Sequence, residues 1–182
     1  MKKLLLPPLS LVAMLASVSC KKIITAVFDG ADISIPPVEM TLPIVLAVSP
    51  AEQNLGSYTQ SINLDSAIRA KTSGIFGINA VSTIKLKEVN LSLANGEALN
   101  NLSNFETARV TIMGSSNTSS AELFSVNFPD QNLFNYTFAP GNELELLPFL
   151  RGNTITYTVL GKNRRITTKP LALQLRVTLR AN

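Results

Sequence analysis

Residues 169–181, KPLALQLRVTLRA, alternate strictly: Leu171, Leu173, Leu175, Val177 and Leu179 share one parity, and Gln174, Arg176, Thr178 and Arg180 share the other. A period of two means a β-strand with one buried face. A long strand of this kind commits the chain to a second layer that covers the apolar side. The same period recurs upstream. TITYTVL places Ile155, Tyr157 and Val159 together, and the GKNRR segment that follows predicts a hairpin turn into the last strand. In ISIPPVEMTLPIVLAV, the residues Val38, Met40, Leu42, Ile44, Leu46 and Val48 fall on one parity. Pro36, Pro37 and Pro43 lack the ladder donor there, which predicts an edge or bent element split at the Pro-Pro pair.

The middle of the chain is also strand-like. TIKLKEVNLSLANGE changes parity at Lys87-Glu88, the signature of a β-bulge, and then reaches a turn at Asn95-Gly96. TARVTIM, ELFSVNF and NYTFAP supply further short strands, and SSNTSS (115–120) reads as a polar loop. Two stretches break the pattern. NLDSAIRAKTSG predicts a short helix that starts at Asn63 or Asp65 and stops at Gly74. ELELLPFL (143–150) predicts a helical turn limited by Pro148. Seven to nine strands with two short helices predict an all-β, two-sheet β-sandwich, immunoglobulin-like or jelly-roll-like.

Composition removes several chemistries. The chain has no His, no Trp and a single Cys. Ser-His-Asp and Cys-His catalysis, His-bearing zinc sites and a physiological-pH switch are thereby excluded. The lone Cys20 follows a positive start (Lys2, Lys3), an apolar run from Leu4 to Ala16 and the small residues Ser17 and Ser19. Positive, apolar, then small is the layout of a secretory signal. The run is shorter than the roughly 20 residues of a spanning helix.

At this point the residues resemble the bacterial lipoprotein leader, whose lipobox ends in an obligatory cysteine. The box here is Ser17-Val18-Ser19-Cys20, with Ser17 where that family usually has Leu, a looser form familiar in the Bacteroidetes lineage. The resemblance covers residues 1–20. It implies a signal peptide over 1–19, a diacylglycerol with palmitate-type chains on Cys20, a lipid-anchored tether over 20–31 and a β-sandwich domain over 32–182. Lys21 and Lys22 follow the cysteine with no acidic residue nearby. The acidic signal that resembles surface sorting in such lipoproteins is missing, which implies the periplasmic face of the outer membrane. Loss of 1–19 removes Lys2 and Lys3 and no acid, leaving 14 basic and 12 acidic residues, a formal +2. Bulk charge does not point to nucleic acid.

Candidate sites are few. From Arg151 onward there are seven basic residues and no acidic one. Arg164 and Arg165 in the predicted turn, with Arg176 and Arg180 on the solvent face of the last strand, form a candidate surface for an anion or a partner. The alternative is that these charges guard an exposed strand edge. Asp29 and Asp32 flank Gly30 without EF-hand spacing, and Glu143 and Glu145 stand close together. Asp65-Ser66-Ala67 resembles the short motif that Bacteroidetes O-glycosylate. Phe124, Phe128, Phe134, Tyr136 and Phe138 line either a ligand groove or the core. Neither a catalytic residue, a metal site nor a cofactor is expected. The expected role is non-catalytic binding or scaffolding in the cell envelope, with a membrane anchor and an envelope protein or glycan as partner. The alternative is a surface adhesin or glycan-binding module.

Overall fold

The computed structural model describes residues 28–141 and 144–182. The leader, Cys20, Lys21, Lys22 and Glu143 lie outside the described residues. Within them the chain forms nine strands: β1 Ala31–Ser34, β2 Val38–Leu42, β3 Gln53–Ser61, β4 Ile84–Leu93, β5 Phe105–Gly114, β6 Asn117–Asn127, β7 Asn135–Phe138, β8 Thr154–Asn163 and β9 Leu171–Ala181. Two short helices, α1 Leu64–Lys71 and α2 Leu147–Leu150, complete it. The fold is an all-β sandwich of two antiparallel sheets.

In sheet one, β9 is the axis. Its one side pairs with β4, which pairs on with β7. Its other side carries β1 against residues 178–181 and β2 against residues 171–175. Pro36 and Pro37 fall in the gap between those two ladders, as the missing donors require. Sheet two has the order β3-β8-β5-β6. With β1 and β2 taken as one interrupted edge, only β5 and β6 form a hairpin within a sheet. Every other step crosses to the opposite sheet. That eight-position order is the jelly roll rather than the immunoglobulin arrangement.

The alternating residues behave as their period demands. Leu171, Leu175 and Leu179 are at most 1% exposed, and Ile155, Tyr157 and Val159 face them from β8. The bulge at Lys87-Glu88 is present, as the ladder to β9 slips between Leu86 and Glu88. Asn63 caps α1 by accepting the N–H of Ser66 at 2.9 Å, and Leu64 and Ile68 dock the helix. Two pairs of contacts across the open edges hold the layers together. On one side Tyr58 Oη donates to Thr41 O at 2.5 Å and Gln60 Nε2 to Pro36 O at 2.8 Å. On the other, Phe124 of β6 meets Phe138 of β7 edge-on at 5.3 Å, and Phe128 meets Tyr136 at 5.5 Å.

Three expectations need correction, and one strand goes unread in the sequence. GKNRR is no hairpin turn: Gly161–Asn163 belong to β8, and β8 and β9 lie in different sheets. Alternation reports a strand's end but not the sheet to which the chain returns. The parity of Val38, Met40 and Leu42 does not continue, since β2 stops before Pro43 and leaves Ile44, Leu46 and Val48 exposed. Asn117–Ser120 are not loop but the start of edge strand β6, so only Ser115 and Ser116 turn. Finally, β3 has one fully buried apolar residue, Leu55, and so carries no clear period. Hydroxyl pairs to β8 hold it instead: Ser57 with Thr158 at 3.0 Å and Thr59 with Thr156 at 2.9 Å.

The topology gives the sandwich two different ends. The β2–β3, β4–β5, β6–β7 and β8–β9 loops gather at one, here the loop end. The β5–β6 hairpin, both helices and Phe28, whose ring meets Phe76 at 5.4 Å, gather at the other. The 11 residues of β9 separate the ends by about 37 Å, at ~3.4 Å per residue.

Candidate functional site

At the loop end, polar residues are buried where a core would normally be apolar. Asn100, Asn101, Ser103, Asn104, Asn163 and Thr167 are all at most 3% exposed. Buried amides cost free energy unless they are hydrogen-bonded, and these are, save for Asn163 Oδ1, which has no partner among the described residues. Asn104 Nδ2 donates to Leu99 O at 3.0 Å and to Ile166 O at 2.7 Å, while its Oδ1 accepts the N–H of Asn101. Asn101 Oδ1 accepts from the backbone and hydroxyl of Ser103. Thr167 and Val45 exchange two bonds, Val45 N–H to Oγ1 at 2.9 Å and Thr167 N–H to Val45 O at 3.0 Å. Asn163 Nδ2 reaches Ala47 O. Three loops are thus joined by side chains instead of a ladder.

This polar plate carries apolar tips. Val48 is 59% exposed, Leu99 73% and Ile166 50%, each from a different loop. They border a cleft of about 710 Å³, closed on one side by Asp130 and Arg165. Arg164 and Arg165 both pair with Asp130, and Arg164 Nη2 also donates to Phe128 O at 2.8 Å. Arg165, with Arg164 behind it, holds the Asp130 carboxyl below the usual carboxylate range. Lys169 does the same to Glu97, at 3.0 Å, helped by Asn100. The rim charges are therefore largely satisfied within the chain.

The four arginines singled out from the sequence do not form one surface. Arg164 and Arg165 belong to the loop end. Arg180 sits at the opposite end of β9, 3.4 Å from Asp32, and Arg176 stands between them on the outer face of sheet one. An edge-guarding role does not fit β9, which has neighbours on both sides. Acidic partners for this basic C-terminal run come from earlier segments: Glu97, Glu106, Asp130 and Asp32.

The other candidates have structural employment. Asp32 pairs with Lys87 and Arg180, and Lys87 above all holds its carboxyl low. Asp29 contributes its backbone carbonyl to Arg180. Among the described residues, no three His, Cys, Asp or Glu side chains group as metal ligands would. Glu145 accepts the N–H groups of Ile84 and Leu147, both at 2.8 Å. Asp65 accepts from Ile78 N–H and pairs with Arg69, while Ser66 is exposed in the first turn of α1. Of the five aromatics, Phe124 and Phe128 are buried and Tyr136 and Phe138 pack against the core, which leaves only Phe134 at the surface. Phe28, inside the segment read as tether, already packs against Phe76. No helix among the described residues is long and apolar enough to cross a membrane.

Sequence reasoning missed the loop-end cleft. Its signal was the amide-rich run NGEALNNLSN (95–104), too polar for a strand and holding Asn residues that a solvated loop does not need.

No family model matches the chain, and no curated protein matches it. Solved structures that are similar include the decameric BFDV capsid protein, at 6% identity and a TM-score of 0.32, covering 84% of this chain and 98% of that one. A structure of infectious bursal disease virus, Gx strain, gives 6% identity and a TM-score of 0.34 over 96% of this chain and 36% of its own. A virus-like particle of the extra small virus of the giant freshwater prawn Macrobrachium rosenbergii gives 11% and 0.17, over 96% and 94%. Jelly rolls serve capsid, lectin and cupin domains alike, so the topology by itself assigns no role.

Proposed function

We propose that this chain is a non-catalytic docking module of a bacterial cell envelope, lipid-anchored through Cys20 at the periplasmic face of the outer membrane. In this reading the loop-end cleft binds an envelope protein. One observation carries it. Phe28, the first described residue, packs on Phe76 at the end opposite the cleft, about 37 Å away along β9. An anchor on the N-terminal segment therefore turns Val48, Leu99 and Ile166 away from the bilayer and toward a partner. Exposed apolar tips on a rigid, hydrogen-bonded plate, with a rim of charges, are the composition of a protein interface. Glycan binding through the aromatic cluster lacks its platform, since those rings pack inside.

The test has two parts. Cys20→Ser in the full chain should abolish incorporation of labelled palmitate and move the protein from the membrane to the soluble fraction. A photo-crosslinker at Leu99 should give a discrete protein adduct that Ile166→Glu removes, whereas one at Thr59 on the outer face of sheet two should give none. Unlabelled protein that still fractionates with membranes refutes the anchor. Adducts that Ile166→Glu leaves untouched refute the docking end.

A further inference from the structure

The outer face of sheet one holds a second cleft, of about 480 Å³, away from the loop end. It exists because Pro36 and Pro37 interrupt the edge formed by β1 and β2, so that the ladder on that side of β9 lapses around Arg176, with Ile35 N–H still donating to Val177 O at 3.1 Å. Its walls are Ser34 on one side and Glu88 and Asn90 on the other, with Arg176 and Thr178 between them. The size lies within the ~300–1,000 Å³ of small-molecule sites.

Two of these side chains are opposite charges left unpaired. Arg164, Arg165 and Arg180 each have a carboxylate partner. Arg176 has none among the described residues. Its Nε donates to Gln174 Oε1 at 2.6 Å, and Gln174 Nε2 in turn donates to Glu39 Oε1 at 2.5 Å. That relay fixes the guanidinium from behind and leaves both Nη groups for something else. Glu88 reaches the cleft because of the bulge, which turns Lys87 and Glu88 to solvent together. Lys87 is taken by Asp32, and Glu88 has no ion-pair partner among the described residues. In register Arg176 lies opposite Asn90, and Glu88 opposite Thr178. The two charges are thus diagonal neighbours, ~7–8 Å apart at the backbone.

We propose that this cleft binds a small zwitterion, an oxyanion and a protonated amine a few bonds apart. The oxyanion meets the Arg176 Nη groups and the Thr178 hydroxyl. The amine meets the Glu88 carboxylate and Asn90 Oδ1, an acceptor left open because Asn90 Nδ2 is held by Thr137 Oγ1 at 2.6 Å, and Ser34 closes the opposite wall. A bare anion is opposed by Glu88 and a bare cation by Arg176, whereas a ligand with both charges satisfies both. An amino acid and the phosphoethanolamine head group share this chemistry. The site is independent of the loop-end cleft.

The experiment is an NMR titration of the full-length, isotope-labelled chain with O-phosphoethanolamine and with β-alanine. Inorganic phosphate and ethanolamine, at matched ionic strength, serve as the separated halves. At least one zwitterion should shift the Asn90, Arg176 and Thr178 amides at concentrations about tenfold below either half. Arg176→Gln and Glu88→Gln should each weaken it about tenfold, and Arg151→Gln should leave it unchanged. A preference for O-phosphoethanolamine identifies a head group, and one for β-alanine an amino acid. Two results overturn the proposal: no shift with any probe, or phosphate alone binding as tightly and gaining affinity in Glu88→Gln, the behaviour of a plain anion site.

Discussion

Asn100 and Thr168 grip each other twice: Asn100 Nδ2 donates to Thr168 Oγ1 at 2.8 Å, and Asn100 Oδ1 accepts the Thr168 N–H at 2.7 Å. The residues are 68 positions apart, and Asn100 is fully buried. Truncation would remove both bonds, and the one from Asn100 Nδ2 to Glu97 Oε1 at 2.8 Å, from a side-chain position that is itself buried. Asn100→Ala should therefore cost about 2–3 kcal/mol, measured by urea unfolding. A loss below about 0.5 kcal/mol would mean that the loops are held by other contacts.

Acid should unfold the protein through its ion pairs. The carboxyls of Asp32, Asp65, Glu97 and Asp130 are all held low by basic partners, Lys87, Arg69, Lys169 and Arg165 first in each case. A carboxyl whose folded pKa is depressed contributes its full stability above the unfolded value, about 4, and loses it as pH falls through the folded value. With no histidine in the chain, the melting midpoint should be level between about pH 5.5 and 8 and fall below about pH 4. Asp130→Asn should flatten part of that fall. A midpoint that changes steeply near pH 6.5 would contradict this account.

Alkaline behaviour should be set mainly by Tyr157, the more deeply buried of the two phenols, Tyr58 and Tyr157, whose pKa burial raises. Burial pushes the Tyr157 hydroxyl up to about 12. Its folded pKa lies above the unfolded value of about 10, so folding is undisturbed below pH 10 and loses stability as pH rises from 10 to 12. Circular dichroism over that range should show the loss, and Tyr157→Phe should delay it. Superimposable curves would place alkaline unfolding elsewhere.

Two glycines separate crowding from backbone strain. A Cβ at Gly114 would lie 1.9 Å from the carbonyl oxygen of Phe149, and a backbone atom cannot swing aside. At Gly74 nothing is near, but φ is +80°. Gly114→Ala should cost about 3 kcal/mol and Gly74→Ala about 1 kcal/mol, compared by urea midpoints. Equal costs would show that α2 yields to the intruding methyl.

Legibility in the sequence followed the apolar period. Strands β4 and β9, the split at Pro36-Pro37 and the bulge at Lys87-Glu88 could be read directly, because one buried face and one missing donor leave marks on neighbouring residues. The path between sheets left no such mark, since GKNRR has the same composition whether the chain folds back or crosses over. β3 was hidden for a related reason: an edge strand held by Ser57 and Thr59 hydroxyls needs few apolar residues. The loop-end cleft draws on residues 48, 99 and 166, and only the strand order brings them together. The arginine run misled because its neutralising acids, Asp32, Glu97, Glu106 and Asp130, all precede it in the chain.

The position of β9 also decides when folding can finish. Ala31 is paired with Ala181, and β2 and β4 lean on the same strand, so sheet one has no centre until the last strand has been made. Contacts that span almost the whole chain make closure slow and late. Before β9 is available, β1, β2 and β4 have no shared partner to pair on.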